Sequence, residues 1–273
     1  MFYKLLFNQN GKLFDPQKKG KIVCKKIERQ APVYEVEYEE FSGSNGSRES
    51  NASFRPFDLV LTFDIFYTSE YDKELIATEL HQVLFPGYQF YITHELSPGK
   101  RFKVNTANFE FTEEENDYST IEVTFEVPSG CSESLSTTLS DYSLIDEWQF
   151  SQNIESDDYQ YEFKTSRFQV FNAGDFAIDP RENDLKITLE GEALGQATII
   201  NRTTKDRFIY YPSFSSKLGH KVTLDRVYPK INGVNCGIDT NLNLITLVPG
   251  INEIEIQNVA SVKSSWDFRF LYK

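Results

Sequence analysis

The residues able to do chemistry in this chain are scattered. Three histidines, His81, His94 and His220, stand far apart and match no metal-ligand spacing, so all three are expected to be structural. Cys24, Cys131 and Cys236 form no C-x-x-C pair, have no neighbouring histidine to make one a nucleophile, and suit buried thiols of a protein folded in a reducing cytoplasm. No G-x-S-x-G, H-E-x-x-H, P-loop or G-x-G-x-x-G motif occurs. With 41 Asp and Glu in 273 residues, neighbouring carboxylates arise by chance, and no glycosidase pair stands out. The acidic run 113–117 lacks the D-x-D-x-D-G spacing of a calcium loop and reads as a hairpin tip. Catalytic residues, metal sites and cofactors are therefore not expected.

Charge and aromatic residues point to binding instead. The net charge is −13, yet residues 1–30 carry eight Lys or Arg against Asp15 and Glu28, a balance of +6 that leaves −19 for the rest. A basic arm on an acidic body suits self-association, with Lys18, Lys19, Lys21, Lys25 and Lys26 of one copy against Glu113, Glu114, Glu115 and Asp117 of the next. The alternative is that these lysines are solvated edge-strand residues. Sequence-specific nucleic-acid binding is disfavoured, because the molecule as a whole repels phosphate and the basic run holds no stacking aromatic. Trp148, Tyr210 and Tyr211 are the aromatics that a saccharide platform would use, with burial as the competing reading, and Trp266 is expected in the core.

Those residues must be positioned mostly by strands. Aromatics make up 15% of the chain, with 23 Phe and 15 Tyr against one Met, a bias towards β-structure. From Pro56 onward Phe57, Leu59, Leu61, Phe63, Ile65 and Tyr67 alternate with polar residues. One amphipathic helix is expected over 69–85, capped by Ser69, with Leu75, Ile76, Leu80, Val83 and Leu84 on its apolar face and Pro86-Gly87 as its end. Residues 42–53 read as a flexible loop. The Ser/Thr-rich stretch 129–143 reads as a linker between two domains, 1–135 and 136–273. The second is expected to be a β-sandwich of about ten strands, including Leu244 to Leu247 and Trp266 to Tyr272. No apolar run approaches a membrane span, and the opening residues do not form a secretory signal.

The stretches F-R-P-F-D at 54–58, Y-D-K-E-L-I-A-T-E-L at 71–80, P-G-Y-Q-F-Y-I-T-H-E at 86–95, P-G-K-R-F-K-V at 98–104 and F-E-V-P-S-G-C-S-E-S at 125–134 resemble the distal tail proteins of long-tailed phages that infect Gram-positive bacteria. So do F-N-A-G-D-F-A-I-D-P, I-I-N-R-T-T-K-D-R-F-I-Y-Y, N-L-I-T-L-V-P-G-I-N-E-I and the closing S-W-D-F-R-F-L-Y-K. The resemblance implies a mainly β protein, with an N-terminal ring-forming β domain bearing one helix and a C-terminal sandwich similar to galectins and carbohydrate-binding modules. It implies a homohexameric ring, single or stacked, at the virion tail tip, assembled in the host cytoplasm. The ring would join the tail tube protein to the tail-associated lysin or fibre hub and carry receptor-binding or baseplate proteins. No active site comes with the family. The alternative function is a carbohydrate-binding module for host-wall saccharide.

Overall fold

The computed structural model describes residues 3–18, 20–115, 117–140 and 160–273. By contacts the chain divides into two units, 1–133 with Lys273, and 134–272.

The first unit contains β1 (Leu5–Gln9), β2 (Lys12–Phe14), β3 (Ile22–Arg29), β4 (Tyr34–Glu40), β5 (Ser47–Phe54), β6 (Phe57–Phe66), α1 (Glu70–Leu84), β7 (Phe90–His94), β8 (Lys100–Glu114) and β9 (Tyr118–Val127). A short β10 (Ser132–Ser134) follows. One antiparallel sheet runs in the order β2-β1-β7-β8-β9-β6-β3. It curls back on itself, since the Tyr3 amide donates to the Cys24 carbonyl of β3 at 3.0 Å. Gln17 holds that seam, its amide nitrogen donating to Tyr3 O at 2.8 Å while its oxygen accepts from Cys24 N at 3.0 Å. The alternation anticipated from Phe57 puts Phe57, Leu59, Leu61, Phe63 and Ile65 inside, opposite Val127, Phe125, Val123, Ile121 and Ser119 of β9.

The helix forms where its signals lie. Ser69 Oγ accepts from Asp72 N at 3.3 Å, and Asp72 in turn accepts from Thr68 N, so the helix start is satisfied from both directions. At the far end the Val83 carbonyl accepts from the Gln9 side chain and the Leu84 carbonyl from the Thr106 hydroxyl. Its buried face is Ile76, Ala77, Leu80 and Leu84. Leu75 departs from the sequence reading, being 58% exposed. The buried arc follows the i, i+4, i+8 row through 76, 80 and 84, and Leu75 sits one position, or about 100°, outside it.

The expected loop 42–53 is also different. Its second half is strand β5, paired with β4 from Tyr34↔Phe54 to Glu40↔Ser47. Ser and Asn composition disguised a ribbon whose other strand alternates Tyr34, Val36 and Tyr38 with glutamates.

The second unit contains β11 (Glu162–Phe163), β12 (Arg167–Asn172), β13 (Leu185–Ala193), β14 (Ala197–Asn201), β15 (Asp206–Tyr210), β16 (Phe214–Ser215), β17 (Val222–Asp225), β18 (Tyr228–Ile231), β19 (Val234–Asn235), β20 (Gly250–Gln257), β21 (Ala260–Phe268) and β22 (Leu271–Tyr272). One sheet runs β11-β21-β13-β17-β18-β19 with β16 beside β13, and a second runs β12-β20-β14-β15. Phe168 of β12 meets the fully buried Trp266 of β21 at 5.9 Å, and Tyr161 meets Phe268 at 5.6 Å.

In two segments side chains bonding to backbone decide the local structure, and in the second of them the expected strand does not form. The boundary between the units falls within the expected linker, yet residues 129–140 are largely buried: Thr138 Oγ1 donates to Trp266 O at 2.7 Å, and Ser134 Oγ accepts from Phe270 N at 3.1 Å. Leu244 to Leu247 form no strand beyond an isolated bridge, Ile178↔Leu247. Buried asparagines hold that segment: Asn201 donates to Thr246 O at 2.7 Å, Asn172 to Leu247 O at 3.2 Å and Asn252 to Val248 O at 2.8 Å.

The two leucines of α1 give a paired test. Leu80→Ala leaves a cavity under the helix and is expected to cost about 2 to 5 kcal/mol, whereas Leu75→Ala is expected to stay within about 0.5 kcal/mol. Denaturant unfolding of both variants checks this, and equal losses would misplace the helix face.

Candidate protein-protein interface

The β4-β5 ribbon pairs with no other described strand. Nearly every residue along it is exposed, Tyr38 by 64%, and Tyr34 and Phe41 are exposed with it. A two-stranded ribbon buries too little to be stable alone, and its outer edges offer unpaired N–H and C=O groups. Local props exist at its base, where Arg55 pairs with Glu35 and Tyr34 packs on Phe54 at 4.9 Å, and at its tip, where Arg48 lies over Phe41. Exposed aromatic rings on a ribbon with free edges suit a strand-adding or groove-filling contact with another protein. A second apolar strip runs along the outside of α1, where Tyr71 is 90% exposed and Leu75 stands one turn further on.

Of the described charged residues singled out in the sequence, Lys25 and Lys26 lie on β3, Lys18 and Lys21 precede it, and Glu113, Glu114, Glu115 and Asp117 lie at the β8-β9 tip; several already have partners in the same chain. Lys21 pairs with Asp72 at 2.5 Å, Lys25 with Asp64 at 3.2 Å and Lys26 with Glu28 at 2.8 Å. The bond to Asp64 raises the Lys25 ammonium above its ordinary value. Glu114 pairs with Lys73 at 3.0 Å. Lys18, Glu113, Glu115 and Asp117 are exposed, and Lys19 lies outside the described residues. The sequence reading paired the lysines only with a second copy, because nothing in a linear reading marks Asp64 and Asp72 as facing β3. Among the described residues no group of three His, Cys, Asp or Glu could hold a metal ion.

Residues 10–127 match the family model of the phage tail protein RIFT-related domain. The Dit protein of phage SPP1, described as a paradigm of the hub adsorption apparatus in phages infecting Gram-positive bacteria, superposes with a TM-score of 0.70 at 11% identity, covering 99% of this chain and 100% of that one. The chain has a Dit-like fold, and its residues 10–127 match a phage tail domain. Two structures of the phage p2 baseplate in its activated conformation, with strontium and with calcium, align at TM-scores of 0.46 and 0.45 and identities of 10% and 11%. They cover 97% and 98% of this chain and 97% of each matched chain. No curated protein matches the sequence.

Of the aromatics considered for saccharide stacking in this Dit-like chain, Tyr210 is only 5% exposed and packs on Phe214 at 6.1 Å, so its ring faces are not offered. Tyr211 is exposed, and Trp148 lies outside the described residues. The sequence marks 33–41 as a strand, and what its reading missed is β5, the second strand of the ribbon. The available signal was that the alternating strand Tyr34-Glu35-Val36-Glu37-Tyr38 needs an antiparallel partner, which the chain supplies in Ser47–Phe54.

His94 is the most perturbed of the histidines. It is 7% exposed and stacks on Phe102 at 5.3 Å, and neither ring nitrogen has a hydrogen-bond partner among the described residues. Burial, aided by the Arg29 charge, pushes its pKa down from 6.5 to about 4. Arg29 itself lies over the Phe57 ring at 4.7 Å. A depressed folded-state pKa means that the unfolded chain takes up the proton first. The stabilisation is therefore complete above pH 6.5 and is lost as the pH falls towards 4. Between about pH 7 and about pH 4.5 the parent is expected to lose about 2 to 3 kcal/mol more than His94→Leu. Urea unfolding at both pH values measures the difference, and parallel losses would show that His94 is not buried neutral.

Proposed function

We propose that the chain is a structural adaptor of the phage tail tip that closes into a hexameric ring. In this reading the first unit forms the ring, and the second is a galectin-like or carbohydrate-binding-module-like body. The ring joins the tail tube protein to the tail-associated lysin or fibre hub and carries receptor-binding or baseplate proteins. The unpartnered β4-β5 ribbon carries the reading: it is an arm whose exposed rings and edges need a neighbour to be covered. In a cyclic assembly each chain presents one arm and one receiving surface, so a head-to-tail contact closes on itself. The phage-tail family match and the Dit-like fold agree with such a role. Assembly takes place in the host cytoplasm, and the finished ring resides in the virion.

Charge adds to the contact. Lys18, Lys19, Lys21, Lys25 and Lys26 of one copy approach Glu113, Glu114, Glu115 and Asp117 of the next, each exposed pair contributing about 0 to 1 kcal/mol. Because several of these side chains have partners within the chain, the electrostatic share is smaller than the apolar share.

The double variant Tyr38→Ser with Phe41→Ser touches only exposed rings. It is expected to sediment as a single chain with the parent's melting temperature, and retention of the parent's mass would remove the arm from the interface. Reversing Lys18, Lys19 and Lys21 to Glu is expected to weaken assembly mainly at low salt, with partial recovery when Glu113, Glu114 and Glu115 become Lys. A ring indifferent to both the reversal and salt would make these lysines ordinary solvated residues.

A further inference from the structure

In the second unit, the outer face of the β11-β21-β13-β17 sheet contains a cleft of about 220 Å³ whose side chains no part of the adaptor role uses. The pleat builds it. On the central strand β13, Thr188 sits opposite Ser265 of β21 and Thr223 of β17, so the middle of the face carries short hydroxyl side chains. One step along, Glu190 sits opposite Lys263, while Lys221 reaches Glu190 from the other flank at 3.3 Å. Lys164, just beyond β11, closes the same side. Long cationic side chains thus stand around a floor of short ones.

Two independent features mark this as more than a solvated surface. The first is charge: in a chain of net charge −13, Lys164, Lys221 and Lys263 converge on one cleft against Glu162 and Glu190, giving three positive and two negative charges, or +1. The second is Thr188, which is only 7% exposed, lines the cleft, and has a hydroxyl without a hydrogen-bond partner among the described residues. That hydroxyl is open to the cleft and free to bond a ligand group that enters it.

We propose that this cleft binds a hydroxylated monoanion, a polyol or sugar unit carrying one phosphodiester or carboxylate. The net charge of +1 matches a single negative charge. Lys164 and Lys263, which have no carboxylate partner among the described residues, hold the anion as point charges. Glu190 and the Thr188 hydroxyl meet the ligand's hydroxyls, acceptor and donor in turn. The absence of a broad exposed aromatic platform in the cleft makes the interaction a weak one that gains by repetition, as when several copies of the chain meet a polymer of the same unit.

Calorimetric titration of the full chain tests this with four probes: a glycerol phosphodiester dimer, methyl glucuronide, neutral glycerol and inorganic phosphate. Saturable binding is expected for at least one of the two hydroxylated anions and not for glycerol. It should weaken about tenfold or more in the Lys164→Ala/Lys263→Ala variant, whose substitutions are at exposed positions, and measurably in Thr188→Val. With a glycerol phosphodiester polymer as a fifth probe, tighter binding per unit than the dimer would identify an envelope chain as the source, and equal affinity per unit would identify a free small molecule. The proposal is overturned if neither hydroxylated anion saturates, if the double lysine variant binds as the parent does, or if inorganic phosphate binds as tightly as the polyol anion.

Discussion

The closure of one antiparallel sheet around a single aromatic core is the constraint on which the first unit depends. Phe7 of β1, Phe90 of β7 and Phe125 of β9 meet with ring centroids 5.7 to 6.0 Å apart, near the ideal for tilted and edge-on contacts. For three strands so far apart in sequence to bring their rings together, the sheet must curl, and the Tyr3-Cys24 bond with its Gln17 bridge is where the curl is completed. The helix then has one place to lie, over the open side, with its Val83 and Leu84 carbonyls tied to β1 and β8. The unit thereby becomes a rigid support from which β4 and β5 extend.

Rigidity in the support is what gives the ribbon its meaning. A flexible loop of the same length would pay its ordering entropy on meeting a neighbour, whereas a preformed ribbon presents Tyr34, Tyr38 and Phe41 already in place. The same logic separates the two kinds of contact in the proposed ring. Apolar burial by the ribbon is insensitive to salt, while the lysines on and before β3 tune the contact and lose strength as ions screen them.

Much of this was legible in the sequence where period and chemistry agree. The alternation from Phe57 to Ile65, the Ser69 cap and the Pro86-Gly87 stop fix β6 and α1. Legibility failed where polar side chains took over backbone bonding. Thr138 lies in a stretch read as a linker, and nothing in a linear reading shows that Asn172, Asn201 and Asn252 bond the backbone of 246–248, yet all four are buried and bonded and order those segments. Leu75 failed for a different reason: five apolar residues span a wider arc than the helix buries. The cleft on β13 was invisible because Lys164, Glu190, Lys221 and Lys263 come from four separate stretches, joined only by strand register.

The central claim is that this chain works as a closed ring of identical copies rather than as a lone binder. Native mass spectrometry of the purified parent protein tests it most directly. The account predicts a dominant species of about 190 kDa, six times 31.6 kDa, or twice that if two rings stack. A single 31.6 kDa species that persists as the protein is concentrated would contradict it.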